Sequence, residues 1–352
     1  LIGILSIKID DEVPMIRLDR IKIKNPLDAL SEYDKSLFHE VTKTDTSTGQ
    51  IIENYSNLKK NIGLDRTLGI KQIKINHSFE ELIIELSAKV LKEKYLDLIS
   101  RKSLENVIEN INNSKVIRLD KTKFIGSAEV LSLDVTRDIR VSKDMKSYFR
   151  DLKIFSSLSN YRVMKYKDGV EFYSNSISNK ERLKLYSKYH EIKRENVINK
   201  EILKFIPESQ FFSLMRIEGN LVTQRNIKKY FKIAENETIT LSSVLECSEN
   251  VILEYFDKMI PKLKIKYPAE DFWDSSKSFT ELREKIGNLE IIKACGYDLD
   301  NVRFLIKTKT KGNPSYYMKN IKNIMETITL KRSEDGFLTI EEIRNLLADE
   351  PS

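Results

Sequence analysis

The chain is poor in the residues that most often build metal and redox centres. It holds two cysteines and three histidines in 352 residues. Cys247 and Cys295 lie far apart and no Cys-x-x-Cys occurs, which excludes a finger-type zinc site and argues against a disulfide framework. A reducing cytoplasm suits that usage. His39, His77 and His190 form no His-x-His or other paired spacing. A Gly-x-x-x-x-Gly-Lys-Ser/Thr loop is missing, so no nucleotide-driven motor is built in. Serine-nucleophile and Cys/His protease patterns are missing too. No apolar run approaches the ~18 residues that span a bilayer, so the chain reads as soluble with no membrane partner. Leu1 to Asp10 has no basic head followed by a long apolar core, and reads as a short strand rather than a signal peptide. Asp10 to Pro14 ends that strand.

What is abundant is charge. Charged residues make up 32% of the chain, hydrophobic ones 40%, and the net charge is +7. The basic balance favours a polyanionic partner, and the length suggests two domains. Leu68–His77, Glu81–Ala88, Val130–Thr136 and Phe211–Val222 read as strands, while Ser31–Gly69 is polar and poorly periodic with Thr42–Gly49 as a loop or hairpin tip. Leu104, Val107, Ile108 and Ile111 recur at helical spacing, and Ser142–Leu152 also reads as a helix. Lys167-Asp168-Gly169 between two β-type runs signals a hairpin. Arg182–Lys193 reads as a strand turning into a helix near Tyr186, and Thr223 can cap a helix reaching Phe231. Beyond about Asn236 strand-forming runs become scarce. Val244–Met259, Ser278–Ile286, Asn288–Cys295, Leu299–Thr308, Ser315–Thr327 and Thr339–Leu347 suggest helices. The expected organisation is a mainly antiparallel α+β domain over residues 1–235 and a helical DNA-binding or accessory domain over 236–352.

The chemistry concentrates in Leu185-Tyr186-Ser187-Lys188-Tyr189-His190-Glu191 and in Leu214-Met215-Arg216-Ile217-Glu218-Gly219. A free phenol, with pKa about 10, is a weak nucleophile at neutral pH. A nearby cation such as Lys188 stabilises its phenolate. Asp134 and Glu218 each stand in an apolar strand-like run, where an unpaired carboxylate is costly. Two readings stay open. One is ion pairing on a sheet face, Arg216 with Glu218 or Arg137 with Asp134. The other is convergence of Asp134, Glu191 and Glu218 on one Mg²⁺ or Mn²⁺, cations that prefer all-oxygen ligands. Lys59, Lys60, Lys89, Lys92, Lys94, Arg101 and Lys102, with Tyr95 among them, suit backbone contact and base stacking. Lys307–Lys311 forms a basic loop, and Asn288–Ile306 a helix-turn-helix-like unit pivoting at Gly296.

Over about residues 80–235 the order of motifs resembles the gene II replication initiators of filamentous phages and, more distantly, initiation proteins of rolling-circle plasmids. Glu85-Leu86-Ser87-Ala88-Lys89-Val90-Leu91 is similar to the family's Ser-(Pro)-Ala-Lys-Val-Leu segment, without the proline. Leu133-Asp134-Val135-Thr136 resembles the Ile-Asp-Ala-Thr strand, the Tyr186 segment the Tyr-x-Lys-x-x-Glu motif, and Leu214 to Glu218 the closing Arg-x-Glu strand. The resemblance implies an HUH-endonuclease-like fold and a metal-dependent nickase and strand transferase working at a replication origin, on single-stranded or supercoiled DNA. It further implies a bacterial host cytoplasm, with host helicase and polymerase as partners. Tyr186 would be the nucleophile, with Tyr189 as its rival, and Lys188 the helper. Asp134, Glu191 and Glu218 would hold Mg²⁺ or Mn²⁺, and Ser87, Lys89, Arg137, Arg216 and Lys311 would meet DNA. The family's His-hydrophobic-His metal motif is missing from this sequence.

Overall fold

The structure, a computed structural model, describes residues 16–60, 62–142, 144–152, 161–174, 180–194, 196–248, 250–260, 278–295, 299–309 and 314–349. The expected strand at Ile4–Ile9, the pivot Gly296 and Lys311 lie outside them. The fold is mixed α+β, a large antiparallel sheet flanked by helices, with a helical C-terminal region.

The strands are β1 (Leu18–Pro26), β2 (Leu30–Tyr33), β3 (Phe38–Thr44), β4 (Ile51–Leu58), β5 (Ile70–Asn76) and β6 (Glu81–Ser87). They continue with β7 (Ile117–Leu119), β8 (Glu129–Arg140), β9 (Tyr161–Tyr166), β10 (Gly169–Ser174), β11 (Arg182–Ser187) and β12 (Leu214–Leu221). Ten of them form one sheet in the order β3-β4-β5-β6-β1-β8-β12-β11-β10-β9, and β2 pairs with β7 apart from it. The helices in the first part of the chain are α1 (Leu64–Thr67), α2 (Leu104–Asn113), α3 (Lys121–Ser127), α4 (Met145–Leu152), α5 (Lys188–Ile192) and α6 (Val197–Leu203). After them come α7 (Gln224–Tyr230), α8 (Leu241–Leu245), α9 (Val251–Met259), α10 (Phe279–Ala294), α11 (Leu299–Lys309) and α12 (Pro314–Ala348).

Alternation along each strand gives the sheet one apolar and one polar face, because successive side chains point to opposite sides. Residues paired directly across neighbouring strands share a side. Leu18, Val135, Gly219, Leu183 and Phe172 make one such row, and it is apolar. This side packs under α7 and α9. A Cβ on Gly219 would stand 2.9 Å from the Tyr255 ring of α9, so only glycine lets that helix sit so close. Thr223 caps α7 as its sequence suggests, accepting from the Asn226 amide at 3.3 Å.

Three rows on the other side are polar. Arg20, Asp134, Asn220 and Arg182 form the first, Thr136, Glu218, Lys184 and Glu171 the second, and Asp138, Arg216, Tyr186 and Gly169 the third. A bulge in β1 sharpens this. The register shifts between Leu18 and Arg20, and both Asp19 and Arg20 reach partners on the polar side. A regular strand would send consecutive residues to opposite sides, and an inserted residue removes that constraint.

The chain divides into two compact units, the first being Leu1–Lys146, Ser157–Pro261 and Arg344–Ser352, the second Ser147–Ser156 and Lys262–Ile343. The whole sheet, α8 and α9 belong to the first. The second is helical, with a core of Ile292, Val302, Ile306, Met318, Ile321 and Ile324. Several helices differ in extent from their sequence pattern. Ser278–Ile286 and Asn288–Cys295 merge into α10, which runs through Gly287. Ser315–Thr327 and Thr339–Leu347 merge into α12, of 35 residues. A glycine inside a helix costs only about 1 kcal/mol, which packing readily offsets. Val244–Met259 instead splits into α8 and α9, because Asn250 starts a new helix by accepting from the Leu253 amide at 3.2 Å. None of the helices among the described residues is long and apolar enough to cross a membrane.

Candidate functional site

The second and third polar rows meet at Tyr186. Its hydroxyl donates to Glu218 Oε1 at 2.5 Å, a cross-strand diagonal between β11 and β12. Ser187 then ends the strand and starts α5, its hydroxyl accepting from the His190 amide at 3.3 Å. This turn brings Lys188 beneath the tyrosine ring, with Nζ 5.5 Å from the ring centroid. The same Nζ lies 5.0 Å from the Tyr95 ring and 2.9 Å from Glu191 Oε2. A strand running into a helix, as the sequence suggests, therefore sets Tyr186, Lys188 and Glu191 around one point.

Tyr186, Glu218, Glu191, Lys184, Arg194 and Asp168 line a cleft of about 350 Å³ beside Gly169. Gly169 is required here by close approach, since a Cβ would lie 2.8 Å from the Leu185 carbonyl oxygen and 2.9 Å from Tyr186 Cβ.

Behind the cleft, Arg216 is wholly buried. Its guanidinium grips Asp138 with two bonds of 2.7 Å and donates from Nη1 to Asp19 at 2.6 Å and to the Tyr95 hydroxyl at 3.0 Å. Planar, forked donors suit such a three-sided arrangement. Neither expected ion pair forms. Arg216 and Glu218 share a side of β12, yet a directly opposed residue on the next strand lies closer than a neighbour two positions along, and Asp138 is that residue. Arg137 points to the apolar side, away from Asp134, and donates from Nη2 to the Asp349 carbonyl at 2.7 Å.

The electrostatics follow from burial and these neighbours. Burial, then the charge of Glu218, pushes the Tyr186 phenol well above its ordinary value. Burial, then the charge of Asp19, raises the Glu218 carboxyl. Burial and Arg216 both work against the Lys188 ammonium, but Tyr95, Glu191 and Asp19 outweigh them and hold its pKa above the usual lysine value. Lys89 is lowered, by burial and then by Lys188 and Arg216. Burial resists ionisation of Glu191, yet Lys188 and Lys89 prevail and lower it. Tyr95 is pushed up to about 12 by burial.

The three expected metal ligands are not gathered as a ligand set. Asp134 is held by Arg20 at 2.9 and 3.1 Å and by Asn220. Glu191 is shared by Lys188 and by Lys89, whose Nζ is 3.8 Å away. Glu218 takes the Tyr186 hydroxyl, with Lys184 Nζ at 3.8 Å. Among the described residues no group of three or more His, Cys, Asp or Glu is placed to hold a metal ion. A cation-saturated donor set of this kind does not fit a divalent metal.

Of the residues expected to meet DNA, Ser87, Arg137 and Arg216 are buried, and Lys89 faces Asn199 and Glu191. Tyr95, read as a stacking ring, is instead sealed in the core against Arg216. Tyr189 lies outside the cleft lining, edge-on to Phe212 at 4.8 Å between centroids. Sequence reasoning missed Asp19, Arg20 and Asp138. The alternation of charged and apolar residues from Arg20 to Lys24 was the signal for β1 and its charges.

Searches against protein-family models, curated proteins and solved structures return no match for this chain.

Proposed function

We propose that the chain is a DNA strand-transfer enzyme of the rolling-circle initiator kind, with an HUH-endonuclease-like sheet and Tyr186 as its nucleophile. The observation that carries this reading is the 2.5 Å hydrogen bond from Tyr186 to Glu218 at the lining of an open cleft. A phenol held protonated needs a base at the moment of attack, and a carboxylate with a raised pKa, already accepting its proton, meets that need. In the reaction, the Tyr186 oxygen bonds to phosphorus as its proton passes to Glu218. The bond from phosphorus to the 3′-oxygen breaks, and Glu218 returns the proton to that oxygen. The products are a 5′-phosphotyrosyl link and a free 3′-hydroxyl, and reversal rejoins the strand without ATP.

Lys188, under the ring, favours charge on the phenol oxygen, and Lys184 and Arg194 at the cleft offset charge on the phosphate. The arrangement of Asp134, Glu191 and Glu218 gives no reason to route a step through Mg²⁺ or Mn²⁺, so the metal enters only as a variable of the test.

The experiment is incubation with a randomised single-stranded DNA library and with supercoiled plasmid, in EDTA, Mg²⁺ or Mn²⁺, followed by denaturing electrophoresis. A covalent adduct that Tyr186→Phe abolishes supports the reading. An adduct that survives in Tyr186→Phe and vanishes in Tyr189→Phe assigns the chemistry to the other tyrosine.

The raised phenol pKa favours a second reading, a basic DNA-binding regulator that keeps the fold without the chemistry. Salt-sensitive DNA binding with no adduct under any condition would establish it.

A further inference from the structure

Phe212 is a large aromatic side chain left 49% exposed on a segment that is firmly braced. It follows a short 3-10 turn, Glu208–Phe211. Arg140 donates to the carbonyls of Phe212 at 3.1 Å and Gln210 at 3.2 Å. The next residue, Ser213, has φ of 56°, a left-handed conformation costly for a residue with a Cβ.

Tyr189 stands edge-on to Phe212, and His190 edge-on to Tyr189 at 5.4 Å. Lys193, and then the Tyr189 side chain, hold the Glu208 carboxyl below its ordinary value. Lys193 Nζ is 3.1 Å from Glu208 and 5.6 Å from the Tyr189 ring centroid.

Short helix α5 connects this cluster to the cleft. Tyr189, His190 and Lys193 belong to or follow α5 on the aromatic side, while Glu191 and Arg194 line the cleft with Tyr186. The Arg194 side chain is exposed and makes no ion pair among the described residues. A half-exposed phenyl ring set against Tyr189, bordered by cations and joined through α5 to a cleft of about 350 Å³, matches the chemistry of an unpaired nucleotide strand. Its bases have faces to stack and its phosphates have charge to neutralise.

We infer that Phe212 and Tyr189 form a base-stacking platform for single-stranded nucleic acid entering the Tyr186 cleft, with Arg194 taking the phosphate between platform and cleft. The inference rests on the strand-transfer reading for the direction of entry, but its test does not depend on chemistry at Tyr186.

The test uses the full chain and fluorescence anisotropy with two labelled probes of equal length and charge, oligo-dT and an abasic backbone. Phe212→Ala lowers the ratio of oligo-dT to abasic affinity about tenfold, and Phe212→Trp restores it. Arg194→Ala weakens both probes alike and flattens the salt dependence. Circular dichroism identifies a variant that has merely lost its fold. The platform is overturned if the wild-type chain binds both probes equally, if Phe212→Ala leaves the ratio unchanged, or if oligo-dT does not bind. Failure of the strand-transfer reading shows separately, as a missing adduct beside an intact stacking ratio.

Discussion

The Arg216 guanidinium, wholly buried, meets the Asp138 carboxylate of the neighbouring strand through two hydrogen bonds of 2.7 Å. The pair fixes β12 against β8 directly behind Tyr186. Removing one partner of a buried ion pair leaves the other charge uncompensated. We expect Arg216→Ala to lose about 3–5 kcal/mol of stability in equilibrium urea unfolding. Arg216→Lys, which keeps the charge but not the fork, should also be destabilised. A loss below about 1 kcal/mol for the alanine variant would show that water or a rearranged partner replaces the guanidinium.

Stability should respond to pH in opposite senses at two carboxylates of the site. Glu191 is held below its ordinary value of 4.5. Its contribution is present above that value and is lost as pH falls through the folded-state pKa. Glu218 is raised above 4.5. Its contribution is present below 4.5 and is lost as pH rises through the folded-state pKa. We expect Glu191→Gln to be less stable than wild type at neutral pH, with the gap closing in acid. Glu218→Gln should gain on wild type as pH rises above 4.5. Urea unfolding across a pH series checks both, and gaps that move in the same direction would refute the assignment.

Gly169→Ala tests the close approach of β10 to β11 at the cleft. The added Cβ would stand 2.8 Å from the Leu185 carbonyl oxygen, a backbone atom that cannot swing aside. We expect a loss of about 1–3 kcal/mol, together with slower adduct formation, as β11 shifts and carries Tyr186 off Glu218. Unchanged adduct yield in a measurably destabilised variant would separate packing from positioning.

How much of this was legible in the sequence varied with how local the cause was. Lys167-Asp168-Gly169 announced its hairpin, and Arg182–Lys193 announced a change from strand to helix near Tyr186, while the cap that makes the change, Ser187, emerged only from the structure. Asp134 and Glu218 were legible as groups in need of partners. The partners themselves were not, since Arg20 reaches Asp134 from 114 positions away and Asp19 reaches Arg216 from 197. Phe38–Leu58 hid its two strands because they form the outer hairpin of the sheet, where nearly every side chain is exposed or half-buried and polar residues fit either side. Tyr95 looked like a surface ring because lysines surround it in sequence. Its burial is decided by Arg216, which no local pattern reveals.

The position of β1 has a consequence for how the protein assembles. Strands β3 to β6 follow one another along both chain and sheet, and so do β9 to β11, so each wing can close from its own turns. The seam cannot. Arg20 meets Glu85 and Asp134 across 65 and 114 residues, and contacts of such span form slowly. In pulse-labelled hydrogen exchange during refolding, we expect the amides of Leu18–Asn25 to gain protection last; early protection there would reverse this order. Until that first strand slots home there are two separate sheets, and the carboxylate of Asp19 arrives with it, so the buried guanidinium waits for the end of folding to find its full set of counter-charges.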